Sequence, residues 1–202
     1  MVFIVGLGPG HVDYILPKAI KVMEQSDVLV GFKRAIESLD FLLTKKEIKN
    51  SLEQIILFLK ENMDKSIALV ASGDPNFYGI TEFVKKNYHG EFTVIPGISS
   101  YQYLMSKINE SWHGAYLSSV HGREVDFISA VRAYEKSIWL TDKERNPKFL
   151  CNSLIENSIN CELTIGENLS YENEKITTGF PDQLAKGDYS NLSVVFINRK
   201  ME

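Results

Sequence analysis

The sequence predicts an α/β fold built as two lobes, and three observations carry that expectation. Short β-rich apolar runs alternate with longer stretches of helical period. Three of the early runs end in bends rich in glycine or proline. Near residue 110 the composition shifts toward Ser, His and Trp, and a second alternating set begins. A chain of 202 residues allows one large domain or two small ones, by the soft prior of about 150 residues per domain. The division is drawn as an N-terminal α/β lobe over residues 1–110 and a C-terminal α/β lobe over residues 111–202. A cleft between two such lobes is a common place for a small-molecule site.

Residues 2–7 form a β-rich run ended by glycines, as in a strand buried on both faces. Ile15, Ala19, Ile20, Val22 and Met23 recur at helical spacing, on a helix packed against that strand. Residues 27–31 give a second strand. Ser51-Leu52-Glu53-Gln54 fits a capping box, and Ile55, Ile56, Phe58 and Leu59 follow on one helical face. A third strand over 66–71 runs into Ser72-Gly73-Asp74-Pro75. Residues 77–87 read as helix, 92–95 as a fourth strand and 98–108 as another helix after Pro96-Gly97. In the second set, 115–120 reads as strand, 125–134 as helix and 137–141 as strand. Pro147 suits the first position of a helix over 147–157. Strands over 160–166 and 192–198 complete the count.

Composition excludes several classes of function. With 44% hydrophobic and 11% aromatic residues the chain is not disordered. The 22 basic and 26 acidic side chains leave a net charge of −4, with no basic block to hold nucleic acid or anionic lipid. Cys151 and Cys161 are too few for a disulfide scaffold and lack the CxxC spacing of zinc sites. His11, His89 and His113 are scattered without metal-ligand spacing, so no protein metal site is expected. No apolar run approaches the ~20 residues of a membrane span, and no basic segment precedes the first apolar stretch. A soluble, cytoplasmic protein is expected.

Three loops carry the chemistry. Gly6-Leu7-Gly8-Pro9-Gly10 follows the first strand, where glycines let backbone N–H groups approach a ligand. It does not fit the dinucleotide fingerprint G-x-G-x-x-G: His11 stands at the last glycine and Pro9 removes a donor. Asp27 also opens the second strand instead of closing it. Ser72-Gly73-Asp74-Pro75-Asn76-Phe77-Tyr78-Gly79 stands at the end of the third strand, where open parallel sheets bind ligands. Pro96-Gly97-Ile98-Ser99-Ser100 follows the fourth. Each alone is equally a tight turn or a helix cap; together they should open on one edge of one sheet.

These three loops, in this order and spacing, resemble those of the tetrapyrrole (corrin/porphyrin) methyltransferases, and the likeness covers essentially the full chain. Further elements resemble the carbon-5 branch of that family in cobalamin biosynthesis: Val30-Gly31-Phe32-Lys33-Arg34, Ser118-Ser119-Val120-His121-Gly122-Arg123 and Gly166-Glu167-Asn168-Leu169-Ser170. The resemblance implies a class III methyltransferase-like fold with its cofactor, S-adenosylmethionine, in the cleft between the lobes and S-adenosylhomocysteine as product. Contacts to the cofactor would come from Pro9, Gly73, Asp74, Pro75, Phe77, Ser99 and Ser100, with Leu140, Thr141 and Thr164 from the second lobe. The cobalt-corrinoid substrate carries many carboxylates, which His121, Arg123, Lys33 and Arg34 would meet.

Glu167 would be either an acid at the interface between the lobes or a group that orients a substrate pyrrole N–H. No catalytic triad is visible, and alignment of an already good leaving group does not require one. The resemblance further implies a homodimer. It also implies the stand-alone form of the enzyme, because 202 residues leave no room for a fused second methyltransferase and decarboxylase. Two alternatives stay open: a methyltransferase of the same fold with another substrate, and a non-catalytic tetrapyrrole- or nucleoside-binding module.

Overall fold

The computed structural model describes residues 1–120 and 125–199. The chain divides into two compact units, Met1–Ser99 and Ser100–Glu202. The division falls ahead of a helix that the sequence reading kept with the first lobe. That helix packs on the second unit's sheet.

The first unit is a five-stranded parallel sheet in the order β3-β2-β4-β1-β5. Its strands are β1 (Val2–Gly6), β2 (Val28–Gly31), β3 (Lys46–Ile48), β4 (Ile67–Ala71) and β5 (Phe92–Ile95). Alternate residues of β1 and β4 feed two cores. On one face Val5, Ala68 and Val70 pack with α1 (Pro17–Glu24) and α2 (Lys33–Glu37). On the other, Ile4, Ile67 and Leu69 pack with α3 (Leu52–Glu61) and α4 (Thr81–Asn87). The connection leaving β1 therefore runs over one face and that leaving its neighbour β4 over the other. The C-terminal ends of β1 and β4 flank the point where the winding reverses, which is where open α/β sheets leave a crevice for ligands.

Three local features depart from the sequence reading. A three-residue 3-10 turn, Val12–Tyr14, separates the first glycine loop from α1, and His11 caps it by accepting a hydrogen bond from Asp13 N at 3.3 Å. The helix expected from residue 77 begins at Thr81, because the chain first folds back on itself. Phe77 N donates to the Asp74 carbonyl at 3.1 Å and Thr81 N to the Pro75 carbonyl at 3.2 Å, and Tyr78 sits at φ 52°. The sequence reading also passed over β3 and α2. β3 is a charged edge strand, and α2 is five residues long without a side-chain cap.

The second unit is a mixed sheet in the order β6-β7-β10-β8-β9, with β6 and β7 parallel and the other pairs antiparallel. Its strands are β6 (Tyr116–Ser119), β7 (Lys136–Leu140), β8 (Glu162–Glu167), β9 (Lys175–Gly179) and β10 (Ser193–Asn198). One face buries Trp139, Leu163, Ile165 and Val195 under α6 (Phe127–Ala133), α7 (Pro147–Glu156) and α8 (Pro181–Leu184). α5 (Ser100–Lys107) packs on β10, and its Leu104 lies so close to Gly166 that an added Cβ would come within 2.8 Å of it. Cys151 and Cys161 are both buried in this unit's core and unpaired by a disulfide. Burial pushes their thiols up to about 12 and about 11.

Candidate S-adenosyl-donor site

Three bends that are distant in sequence meet at the switch point of the first sheet. Leu7 N donates to the Ala71 carbonyl at 2.9 Å, continuing the β1–β4 pairing beyond the strand ends. Gly8 and Gly73 then form an isolated antiparallel bridge, with Gly73 N to Gly8 O at 2.7 Å and Gly8 N to Gly73 O at 3.3 Å. Both glycines lie in the left-handed region, at φ 79° and 65°, where any other L-residue is strained. The β5 loop closes the junction. A Cβ on Gly97 would stand 2.2 Å from the Gly73 carbonyl oxygen and 2.9 Å from the Gly6 carbonyl carbon. Only glycine lets three backbones approach this closely.

Beside Gly73 the space opens: a Cβ there would meet nothing nearer than the Cα of Ser99, at 4.0 Å. The loops that meet here carry groups of different chemistry. Asp74 is half-buried, and its Oδ1 accepts from Asn76 N at 2.7 Å in an Asx turn that stiffens the loop. Pro75 is buried and Phe77 half-buried, with the Phe77 ring edge-on to Tyr78 at 5.0 Å. Ser99 is buried, Ser100 and Pro9 half-buried. Within the first unit these loops therefore supply a carboxylate, an aromatic ring, a hydroxyl and a glycine-lined edge. The structure thus brings Gly8, Gly73 and the segment from Gly97 to Ser99 together, with Asp74, Pro75 and Phe77 following in the loop after β4.

The two basic residues after β2 part company. Lys33 pairs with Glu37 at 3.7 Å along the exposed side of α2. Arg34 reaches the loop after β4 instead, with Nη2 3.5 Å from Ser72 Oγ. In the second unit Leu140 ends β7, and Thr141 is buried with its hydroxyl donating to the Ser193 carbonyl at 2.9 Å. Thr164 lies on β8 and shares a hydrogen bond with Thr178 Oγ1 at 2.9 Å. Thr164 is opposite Phe196 on β10 whereas Leu140 is opposite Val194, so both stand on the α5 side of the sheet at different levels. His121 and Arg123 lie outside the described residues. Val120, just before them, donates from its N–H to the Leu140 carbonyl at 2.9 Å.

The sequence reading did not single out Arg145, which lines a hollow in the second unit. Val120, Val125, Asp126, Phe127, Ile128, Arg145, Phe149 and Ser153 line a hollow of about 580 Å³ in the second unit. Arg145 directly precedes Asn146, whose side chain caps α7 ahead of Pro147. Among the described residues, no group of three or more His, Cys, Asp or Glu is placed to hold a metal ion. No described helix is long and apolar enough to cross a membrane.

Comparison with known proteins decides the family. Residues 1–185 match the family described as Tetrapyrrole (Corrin/Porphyrin) Methylases. The chain belongs to this family. A relative from Methanocaldococcus jannaschii, named probable cobalt-precorrin-7 C(5)-methyltransferase, is 37% identical over 96% of both chains. The cobalt-precorrin-7 C(5)-methyltransferase of Salmonella typhimurium is 30% identical over 99% of this chain and 100% of its own. Among solved structures, the uroporphyrin-III C-methyl transferase of Thermus thermophilus complexed with S-adenosylhomocysteine superposes with a TM-score of 0.79. It is 18% identical and covers 98% of this chain and 96% of that one, which establishes a shared fold. For a tetrapyrrole methylase of this architecture, the glycine junction is the feature around which the first unit is organised.

Proposed function

We propose that this chain transfers a methyl group from S-adenosylmethionine to carbon 5 of cobalt-precorrin-7. The observation that carries the reading is the junction of three bends at the switch point, which opens beside Gly73 onto donor-compatible groups. The ring position and substrate come from the two full-length relatives named above.

S-adenosylmethionine supplies a methyl group on a sulfonium, which departs as the neutral thioether of S-adenosylhomocysteine. The chain's own work is to hold and align. Backbone around Gly8, Pro9 and Gly73-Asp74-Pro75 grips the donor, Asp74 accepts hydrogen bonds from its hydroxyls or amine, and Phe77 offers an apolar face. Ser99 and Ser100 add hydroxyl contacts, and Leu140, Thr141 and Thr164 are proposed contacts from the second unit. Fixing two reactants in line and excluding water can supply about 7–11 kcal/mol of the barrier without a covalent intermediate. Arg34, already drawn to the Ser72 loop, meets a carboxylate of the corrinoid, and so does Arg145 in the hollow beside Val120. Lys33 contributes positive charge alone. His121 and Arg123 complete the proposed substrate contacts. We further propose that the enzyme works in the cytoplasm as a homodimer.

The test is incubation with cobalt-precorrin-7 and donor labelled with carbon-13 in the methyl group, followed by NMR location of the label. Label at carbon 5 is the expected result. Label at another ring carbon would assign a different methylation, and no transfer despite donor binding would leave a binding module.

A further inference from the structure

Gly166-Glu167-Asn168-Leu169-Ser170 holds a buried acid for which the reading above has no task. Glu167 is 6% exposed at the end of β8. Its Oε1 accepts from Ser190 N at 2.8 Å. Its Oε2 is sealed from solvent and makes no hydrogen bond among the described residues; Lys175 Nζ stands 3.8 Å away. Closed off in this way, Oε2 meets a substrate atom only if its neighbours move aside.

The bonds around Glu167 lead elsewhere. Ser190 Oγ donates to Asn168 Oδ1 at 2.7 Å and accepts from Leu192 N at 3.2 Å. Asn168 N donates to the Leu192 carbonyl at 2.9 Å, and Asn168 itself sits at φ 45°. Ser193 Oγ donates to the Ser190 carbonyl at 2.5 Å. The Ser193 carbonyl, finally, accepts from both the hydroxyl and the N–H of Thr141, at 2.9 and 3.4 Å. A continuous run of hydrogen bonds thus joins Glu167 to the end of β7.

We infer that Glu167 is a positioning residue: with Asn168 it fixes the bend over residues 190–193, and through the Ser193 carbonyl it holds Leu140 and Thr141 in place for the donor. The inference rests on the proposed reading of Leu140 and Thr141 as donor contacts. Under it, the segment acts on donor affinity, and the corrinoid does not touch Glu167.

Calorimetric titration with S-adenosylhomocysteine, together with KM and kcat measured for both substrates, tests this on the full chain. The variants are Glu167→Ala, Glu167→Gln, Ser190→Ala and Thr141→Val. Glu167→Ala and Ser190→Ala should each weaken S-adenosylhomocysteine by about tenfold and raise KM for the donor in step. Donor-saturated kcat and KM for the corrinoid should stay within about twofold. Glu167→Gln keeps an acceptor for Ser190 N and should recover most of the affinity. It also serves as the folded variant if the alanine fails to fold. A rise in corrinoid KM with unchanged donor affinity would overturn the inference in favour of direct substrate contact. Weakening by Thr141→Val but not by Ser190→Ala or either Glu167 variant would overturn it and leave the Thr141 contact standing. An inert Thr141→Val would overturn both.

Discussion

Placing a methyl group on Gly97 tests the glycine junction most sharply. The added Cβ would lie 2.2 Å from the Gly73 carbonyl oxygen, against about 3.5 Å for a relaxed carbon–oxygen contact. The clash is with backbone on both sides, so no side-chain rotation relieves it, and the β5 loop must retreat from Gly73 by more than about 1 Å. Overpacking of this kind costs about 1–3 kcal/mol. For a chain of this size that lowers Tm by roughly 2–12 °C. A misplacement of about 1 Å at a site that works by alignment can cost on the order of 100-fold. Gly97→Ala should therefore lose on the order of 100-fold in kcat/KM and, through one or two displaced backbone contacts, about 10-fold in affinity for S-adenosylhomocysteine by calorimetry, with a lower Tm. Gly114→Ala is the control. Gly114 also has positive φ, 74°, but an added Cβ meets nothing within 4 Å. It should cost about 1–2 kcal/mol of stability and leave donor affinity alone. A Gly97→Ala protein that binds S-adenosylhomocysteine within about twofold of the parent would refute the junction as the donor's cradle.

Other predictions follow from the same geometry. Arg34→Ala should raise KM for the corrinoid about 10-fold or more, as for loss of a charge-assisted bond, while Lys33→Ala stays within about twofold; equal effects in steady-state kinetics would contradict the separation of the two. Burial opposes ionisation of Glu174, but hydrogen bonds from Ser170 N–H, Tyr103 and Lys107 together hold its carboxyl below the ordinary 4.5. Its folded state therefore favours the charged form, and its stabilisation is present above pH 4.5 and is lost as pH falls further. Glu174→Gln should cost about 1–2 kcal/mol in urea denaturation at pH 7 and progressively less on acidification below that point. Cys151 and Cys161 should resist thiol reagents while folded. At pH 8 a thiol near 12 is about 0.01% thiolate, against roughly 10% in the unfolded chain. Native labelling as fast as labelling in denaturant would contradict the buried placement.

How much of this the sequence carried depended on the kind of signal. Strands buried on both faces, such as Val2–Gly6 and Ile67–Ala71, announce themselves as apolar runs, and caps such as Ser51 fixed the start of α3. The edge strands β3 and β9 were missed because an edge is half-exposed and its sequence, Lys-Glu-Ile or Lys-Ile-Thr-Thr-Gly, resembles a loop. The start of α4 was misplaced because helical spacing says nothing about Tyr78 at positive φ, which a folded-back loop imposes. Convergence of the three glycine loops was legible because each follows a parallel-type strand, and such strands end on one edge. The different fates of Lys33 and Arg34 were not legible. Both stand in the first turn of α2, and only the direction of that helix relative to Ser72 separates them. Nor could spacing show the bonds from Glu167 to Thr141, which cross from one strand end to another through a loop 23 residues away from Glu167.

The most direct measurement is a crystal structure of the protein grown with S-adenosylhomocysteine. The account predicts the nucleoside seated in the opening beside Gly73, with its ligand atoms against the backbone of Gly8 and Asp74 and near Ser99. Clear density for it at any other place, with that opening filled only by solvent, would contradict the account.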